Sequence, residues 1–298
     1  MIKNWIVTGD THGGFSTITR VSNIQRNMPE CKPEETGIII LGDAGLNFYL
    51  NKTDKKYKKM LNNMGYHIYC VRGNHEERPE NISTMHLEND FNVGNMTWQE
   101  VEFPNIHYFA DGGNYVIGGH PCLVIGGAYS VDKWWRLQRA GYVASEADIA
   151  DPKKCGWFKD ECLSKEEMEH IKAGTAGLKY DFVFTHTAPI SWEPTDLFLG
   201  CIDQSTVDKS MEYFLDEIKE SVNWNCWCFG HYHADRIEQP HVEQMYTDYE
   251  NLEVLWNRWN GECTYKKEWW LAKSPAMEVW DAEHKIEVEL KEGGYVED

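Results

Sequence analysis

The sequence of 298 residues has no uninterrupted apolar stretch approaching the ~20 residues that a membrane span requires. Its first residues, MIKNWIVTGD, lack the long apolar segment of a secretory leader. Nine cysteines are present (Cys31, Cys70, Cys122, Cys155, Cys162, Cys201, Cys226, Cys228 and Cys263), but no CxxC pair and an odd count, which speaks against a disulfide framework. Several sit in apolar runs, where a small buried thiol is expected, and a reducing cytoplasm is the expected location. Basic charge is also short: 29 Lys and Arg against 48 Asp and Glu leave a net charge of −19. That balance argues against a phosphate-tracking surface for long nucleic acid. It leaves room for a small positive pocket, because bound metal ions can outweigh nearby side chains.

What is present is enough apolar material, 42% of residues against 26% charged, for a substantial core. Five short apolar runs each stop abruptly in polar residues. They are Trp5–Thr8 before Gly9-Asp10-Thr11-His12, Gly37–Leu41 before Gly42-Asp43, and His67–Val71 before Gly73-Asn74-His75. Asp181–Phe184 precedes Thr185-His186, and Cys226–Phe229 precedes Gly230-His231-Tyr232-His233. Runs this short and continuous suit strands covered on both faces. Helical spacing fills stretches between them, such as Thr53–Met64 and Ser205–Glu220, the latter with Val207, Met211, Phe214, Leu215 and Ile218 on one face. The alternation predicts a layered α/β architecture whose site gathers along one edge, outside the carboxyl ends of the strands. Tyr115–Ile117 and Cys122–Ile125 read as a hairpin, and Leu252–Trp256 and Lys285–Leu290 as further strand-like pieces. With no repeat or linker, a single domain over residues 1–298 is expected. Its C-terminal part, about 240–298, would complete a second sheet or form a Trp-rich extension.

Asp10, His12, Asp43, Asn74, His186, His231 and His233 offer carboxylate, imidazole and amide-oxygen donors without cysteine. That set suits Mn²⁺, Fe or Zn²⁺ better than a structural zinc site, and it holds too much imidazole for a Ca²⁺ cage. Seven such donors exceed the need of one ion and fit two, with the solitary Asp43 as the natural bridge. A two-metal centre serves in-line displacement at phosphorus: it generates a hydroxide nucleophile and stabilises the attacking and leaving oxygens. His75, next to Asn74, is then placed to protonate the leaving oxygen.

In their order along the chain, Asp10-x-His12, Gly42-Asp43, Gly73-Asn74-His75-Glu76, His186 and Gly230-His231-Tyr232-His233 resemble the signature of the calcineurin-like metallophosphoesterase superfamily. Within it the chain looks most like small bacterial and phage members. The resemblance implies a four-layer α/β/β/α sandwich carrying a dinuclear centre of Mn²⁺ and/or Fe, with Zn²⁺ or Ni²⁺ as alternatives. It implies one ion on Asp10, His12, Asp43 and His233, and a second on Asp43, Asn74, His186 and His231. His75 would be the general acid.

The stretch Gly42-Asp43-Ala44-Gly45-Leu46-Asn47 departs from the Gly-Asp-x-x-Asp-Arg of the superfamily's phosphoprotein phosphatases. Leu46 replaces the Asp that orients the acid, which argues against that activity and leaves Glu76 or Glu77 as candidates for the orienting role. Arg72, Arg78, Lys133, Arg136 and Arg139 are candidate phosphate contacts, with Lys133 and Arg136 preferred because they follow a Gly-Gly turn. Trp134 and Trp135 are expected to pack rather than stack on a base. His67, His86, His107, His120, His170, His241 and His284 are expected to be structural or superficial. The sequence therefore predicts a metal-dependent hydrolase of phosphate esters. The alternatives are a nucleotide or nucleic-acid phosphodiesterase with the same centre, or a metal-bound scaffold that binds a partner through its tail.

Overall fold

A computed structural model describes residues 2–141 and 155–260. One sheet is built from β1 (Asn4–Thr8), β2 (Thr36–Ile40), β3 (His67–Cys70), β4 (Met85–Asp90), β5 (Asn95–Glu100) and β6 (Ile106–Phe109). The second takes β7 (Gly113–Ile117), β8 (His120–Ile125), β9 (Lys179–Thr185), β10 (Asn223–Phe229), β11 (Arg236–Gln239) and β12 (Val242–Gln244), after which β13 (Tyr249–Asn251) returns to the first. The strand orders are β13-β1-β2-β3-β6-β5-β4 and β11-β12-β10-β9-β8-β7. In both, the central strands run parallel: β1, β2, β3 and β6 in one, β8, β9, β10 and β12 in the other.

The continuous apolar runs have a simple cause. Along β1, Trp5 and Val7 face a core shared by the two sheets, where they meet Phe182, Phe184, Cys226 and Cys228. Ile6, between them, faces outward under Val21 and Ile24 of α1 (Gly14–Asn27), in a layer that also holds Leu61 of α2 (Lys52–Asn62). On the second sheet Val183, Trp227 and Phe229 face Met168 and Ile171 of α4 (Lys165–Thr175) and Phe214, Leu215 and Ile218 of α5 (Ser210–Ser221). The order of layers is α/β/β/α, and the long central strands are largely apolar because both of their faces are buried. Each fully buried Val, Ile or Phe contributes about 1.5–3 kcal/mol, so this arrangement carries most of the fold's stability.

Three expectations are corrected. The five strand ends do not share one sheet edge: β1, β2 and β3 belong to one sheet, β9 and β10 to the other. The helix read over Ser205–Glu220 starts at Ser210, because Asp203 accepts from Ser205 N and Asp208 from Ser210 N, turning the backbone before the helix. Leu252–Trp256 is the start of helix α6 (Leu252–Asn260) rather than a strand. Asn251 caps it by accepting from Glu253 N, and Leu252, Leu255, Trp256 and Trp259 recur at helical spacing against the inter-sheet core. The hairpin of β7 and β8 forms as expected, its turn made by Gly118 and Gly119 at φ 61° and 93°, the left-handed region a tight hairpin demands. The segment Lys285–Leu290 and Cys263 lie outside the described residues.

Candidate metal centre

The parallel strands deliver their carboxyl ends to one place, and backbone bonds tie those ends together. Leu41 N donates to Thr8 O at 2.9 Å, His12 N to Asp43 O at 2.7 Å and Gly230 N to His186 O at 2.9 Å. Across the two sheets, the His231 N–H lies 3.0 Å from both oxygens of Asp10. His12, Asp43, His231 and His233 all adopt left-handed backbone, with φ of 51°, 47°, 69° and 55°. Such conformations cost non-glycine residues free energy and cluster where function fixes the backbone. Two glycines are required by contact: a Cβ on Gly42 would stand 1.9 Å from His186 Nδ1, and one on Gly73 would stand 2.0 Å from Asp43 Oδ1. Each of these two glycines makes room for a side chain of another motif.

Three groupings of donor atoms lie within 4.8 Å: Asp10 with His12 and His233, His12 with Asp43 and His75, and Asp10 with Asp43 and His186. His233 Nε2 is 3.5 Å from Asp10 Oδ2 and 2.8 Å from His12 Nε2, and its ring stacks on Tyr246. His186 Nε2 is 3.6 Å from Asp43 Oδ1. His231 enters none of these groupings; its ring lies 4.9 Å from that of His186.

Burial sets the charge states. It pushes the Asp10 carboxyl well above its ordinary range, and the nearby Asp43 adds to this. Burial also pushes Asp43 upward, but His75, His186 and His12 outweigh it and hold Asp43 below its ordinary value. Burial lowers His75 and His186, takes His231 well down, and brings His233 to about 4. Those four imidazoles are therefore neutral at pH 7, and any pull they exert on Asp43 as cations is confined to acid solution. With those rings neutral, the charge on Asp43 still acts on Asp10 and adds to the rise that burial causes.

The donor set fits divalent cations. His186 Nδ1 donates to Leu41 O at 2.8 Å, so the neutral ring carries a bare lone pair on Nε2. That lone pair faces Asn74 Oδ1 at 2.9 Å, while the amide nitrogen of Asn74 is bound to Ser130 Oγ at 2.8 Å. Two acceptors this close repel unless a positive charge lies near both. With two carboxylates and no thiol at hand, these oxygen and nitrogen donors can hold metal ions.

His75 leans on Asp43 through its backbone N–H, 2.8 Å from Oδ1, and its ring stacks beside Phe48. Arg136 of α3 (Lys133–Arg139) places Nη2 2.9 Å from Nδ1 and 2.8 Å from Nε2 of that ring. Neither Glu76 nor Glu77 orients it. Glu76 is buried, accepting from Gly73 N and from Tyr108 OH, and Glu77 accepts from Asn81. Leu46 is fully buried in the core beneath α1 and α2.

Among the other candidate cations, Arg72 and Arg78 are buried and bound to Asp111, Glu161 O, Asp160 O, Cys162 O and Glu167. Both hold structure rather than face solvent. Lys133 is enclosed by rings, its Nζ 4.4 Å from the centroid of Trp157 and 5.5 Å from that of Tyr129. Arg139 lies over Trp135. Trp134 and Trp135, expected to pack, are 49% and 58% exposed, because α3 turns its Lys133, Arg136 and Leu137 inward instead. Sequence reasoning missed Ser130, Phe48 and Tyr246. Ser130 follows the carboxyl end of β8, so the strand-end rule applied to a sixth strand would have found it.

The chain belongs to the calcineurin-like phosphoesterase family, whose sequence profile matches residues 4–235. Among solved structures, one matches with 11% identity and a TM-score of 0.44, over 85% of this chain and 96% of the other. A phosphopantetheinyl hydrolase from Mycobacterium tuberculosis matches with 12% identity and a TM-score of 0.35, over 86% and 92%. No curated protein matches the sequence. No helix among the described residues is long and apolar enough to cross a membrane.

Proposed function

We propose that this protein hydrolyses esters of phosphate at a dinuclear centre, with Asp10, His12, Asp43 and His233 holding one divalent ion and Asp43, Asn74, His186 and His231 the other. The observation that carries the reading is the convergence of two buried carboxylates, Asp10 and Asp43, with imidazoles from both sheets within 4.8 Å. Bound there, the ions would supply Lewis acidity toward water and the phosphoryl oxygens.

His75 acts as the general acid in its imidazolium form, which burial and the Arg136 charge disfavour and the Asp43 carboxylate favours, giving that proton to the leaving oxygen. Arg136, hydrogen-bonded to that ring, orients it and offers a planar donor to a phosphoryl oxygen. Lys133, enclosed by Tyr129 and Trp157, acts by holding α3 in place rather than by meeting substrate. The substrate is a small phosphorylated molecule or a nucleotide, since a chain of net charge −19 repels a polyanion. The test is a matrix of Mn²⁺, Fe²⁺, Zn²⁺ and Ni²⁺ against aryl phosphate monoesters and diesters, run on metal-stripped and reloaded protein. Turnover of either ester with any of these ions is expected, and the better ester separates monoesterase from diesterase. No turnover in any cell of the matrix overturns the proposal.

A further inference from the structure

An amide side chain has two ends of nearly equal size and opposite chemistry, and only the oxygen end can serve a cation. Asn74 must therefore be told which way to face. Its Nδ2 is 2.8 Å from Ser130 Oγ, and its Oδ1 is 2.9 Å from His186 Nε2. A serine hydroxyl alone would not decide this, because it can donate or accept. Here the hydroxyl hydrogen is already committed: Ser130 Oγ donates to Glu161 Oε2 at 2.6 Å, while Ser130 N donates to Glu161 Oε1 at 2.9 Å. Above about pH 7, the value to which burial raises the Glu161 carboxyl, the carboxylate takes both protons of Ser130 and leaves its Oγ able only to accept. Asn74 must then present its N–H₂ to Ser130 and its oxygen to the metal centre.

We infer that Glu161 is a positioning residue that, acting through Ser130, fixes the amide of Asn74 with its oxygen toward the metal centre. The inference rests on the proposal that this centre binds cations. Glu161 is 3% exposed and belongs to no recognisable motif. Its loop is held by the segment that carries Asn74 itself. Arg72 Nη1 donates to Glu161 O at 2.7 Å, Arg78 Nε to Asp160 O at 2.7 Å and Arg78 Nη2 to Cys162 O at 2.9 Å. Two arginines that flank Asn74 thus grip three successive carbonyls around Glu161. Outer partners of this kind set ligand orientation in metal sites generally.

The chemistry predicts a reversal in Glu161→Gln. The new amide would donate to Ser130 Oγ and accept from Ser130 N, freeing the hydroxyl hydrogen to point at Asn74. Asn74 would turn over, facing His186 with N–H₂ and withdrawing its oxygen. The experiment is a Mn²⁺ titration of the metal-stripped full chain against a chelating indicator, with thermal melts, in wild type, E161Q, N74D and E161Q/N74D. A carboxylate at position 74 has no wrong end, so the loss should disappear in the N74D background. We expect E161Q to bind the weaker Mn²⁺ about 10–100-fold less tightly than wild type, and E161Q/N74D to bind no less tightly than N74D. Equal losses in both backgrounds would show mere structural damage and overturn the inference, as would wild-type affinity in E161Q. Should E161Q fail to fold, Ser130→Ala removes the acceptor alone, and unchanged Mn²⁺ affinity there overturns the inference equally. The readout is binding, so a protein that takes up Mn²⁺ yet cleaves no ester would sink the proposed activity and leave this comparison intact.

Discussion

Asp43→Asn separates what the site needs for function from what the fold needs for stability, and the two should move in opposite directions. Asparagine keeps an oxygen for the His75 N–H, which lies 2.8 Å from Oδ1. What it removes is a buried negative charge within 4.8 Å of that on Asp10. At this separation and an effective dielectric near 20, two unit charges repel by roughly 3 kcal/mol. Proton uptake by Asp10, whose carboxyl is pushed well above its ordinary range, already relieves part of this. A gain of about 1–3 kcal/mol for the metal-free variant follows, or roughly 2–12 °C in Tm at about 2–4 °C per kcal/mol. Function should fall. Loss of the bridging charge forfeits several kcal/mol of transition-state stabilisation, which at 1.36 kcal/mol per tenfold is about 10²-fold or more in kcat/KM. Calorimetry on chelator-stripped protein at pH 7.5, metal analysis after reloading and the ester assay together read both sides. A metal-free variant that melts below wild type, or one that retains the wild-type Mn²⁺ content, would refute the reasoning.

His75→Ala should keep its metal and lose about 10²–10⁴-fold in kcat, with the smallest loss for esters of acidic phenols, whose leaving oxygen needs no proton; a loss independent of the leaving group would exclude the acid role. Gly73→Ala drives a Cβ to 2.0 Å from Asp43 Oδ1 and 2.2 Å from Asp43 N, so metal binding should fall with a destabilisation of about 1–3 kcal/mol. Unchanged Mn²⁺ affinity in that variant would mean that the two motifs do not need this contact. Glu212 is 3% exposed, and burial raises its carboxyl to about 7, although Thr187 donates to it. The folded state thus holds a proton that the unfolded state releases near pH 4.5, and the resulting stability is lost as pH rises from about 4.5 through 7. Glu212→Gln should therefore gain about 3 kcal/mol on wild type at pH 8 and almost nothing below pH 4.5; urea melts showing the same gain at both pH values would contradict this.

The five strand runs were legible because a strand buried on both faces must be apolar at every position, whatever it packs against. The polar clusters that follow them were legible for a related reason: chemistry-bearing residues and turn-forming glycines must be written where a strand stops. Other features depended on length. Leu252–Trp256 looked like a strand because five residues cannot distinguish the two periods, and only the continuation to Trp259 against the inter-sheet core, with Asn251 as cap, makes it a helix. Trp134 and Trp135 were expected inside because indole is large and apolar; the short helix they share with Arg136 has only one inward face, and the charged side chains occupy it.

The sequence by itself determined the layered α/β class and named the candidate donors from Asp10 to His233, because residue type and local spacing carry that information. Only the tertiary structure decided that the donors come from two opposed sheets, and that Arg136 and Phe48, rather than Glu76, stand against His75. Tertiary structure alone also brings Glu161 behind Asn74 through Ser130. Those contacts join residues 27 to 61 positions apart, where no local rule of spacing applies and only the packing of sheet, loop and arginine clamp brings the partners together.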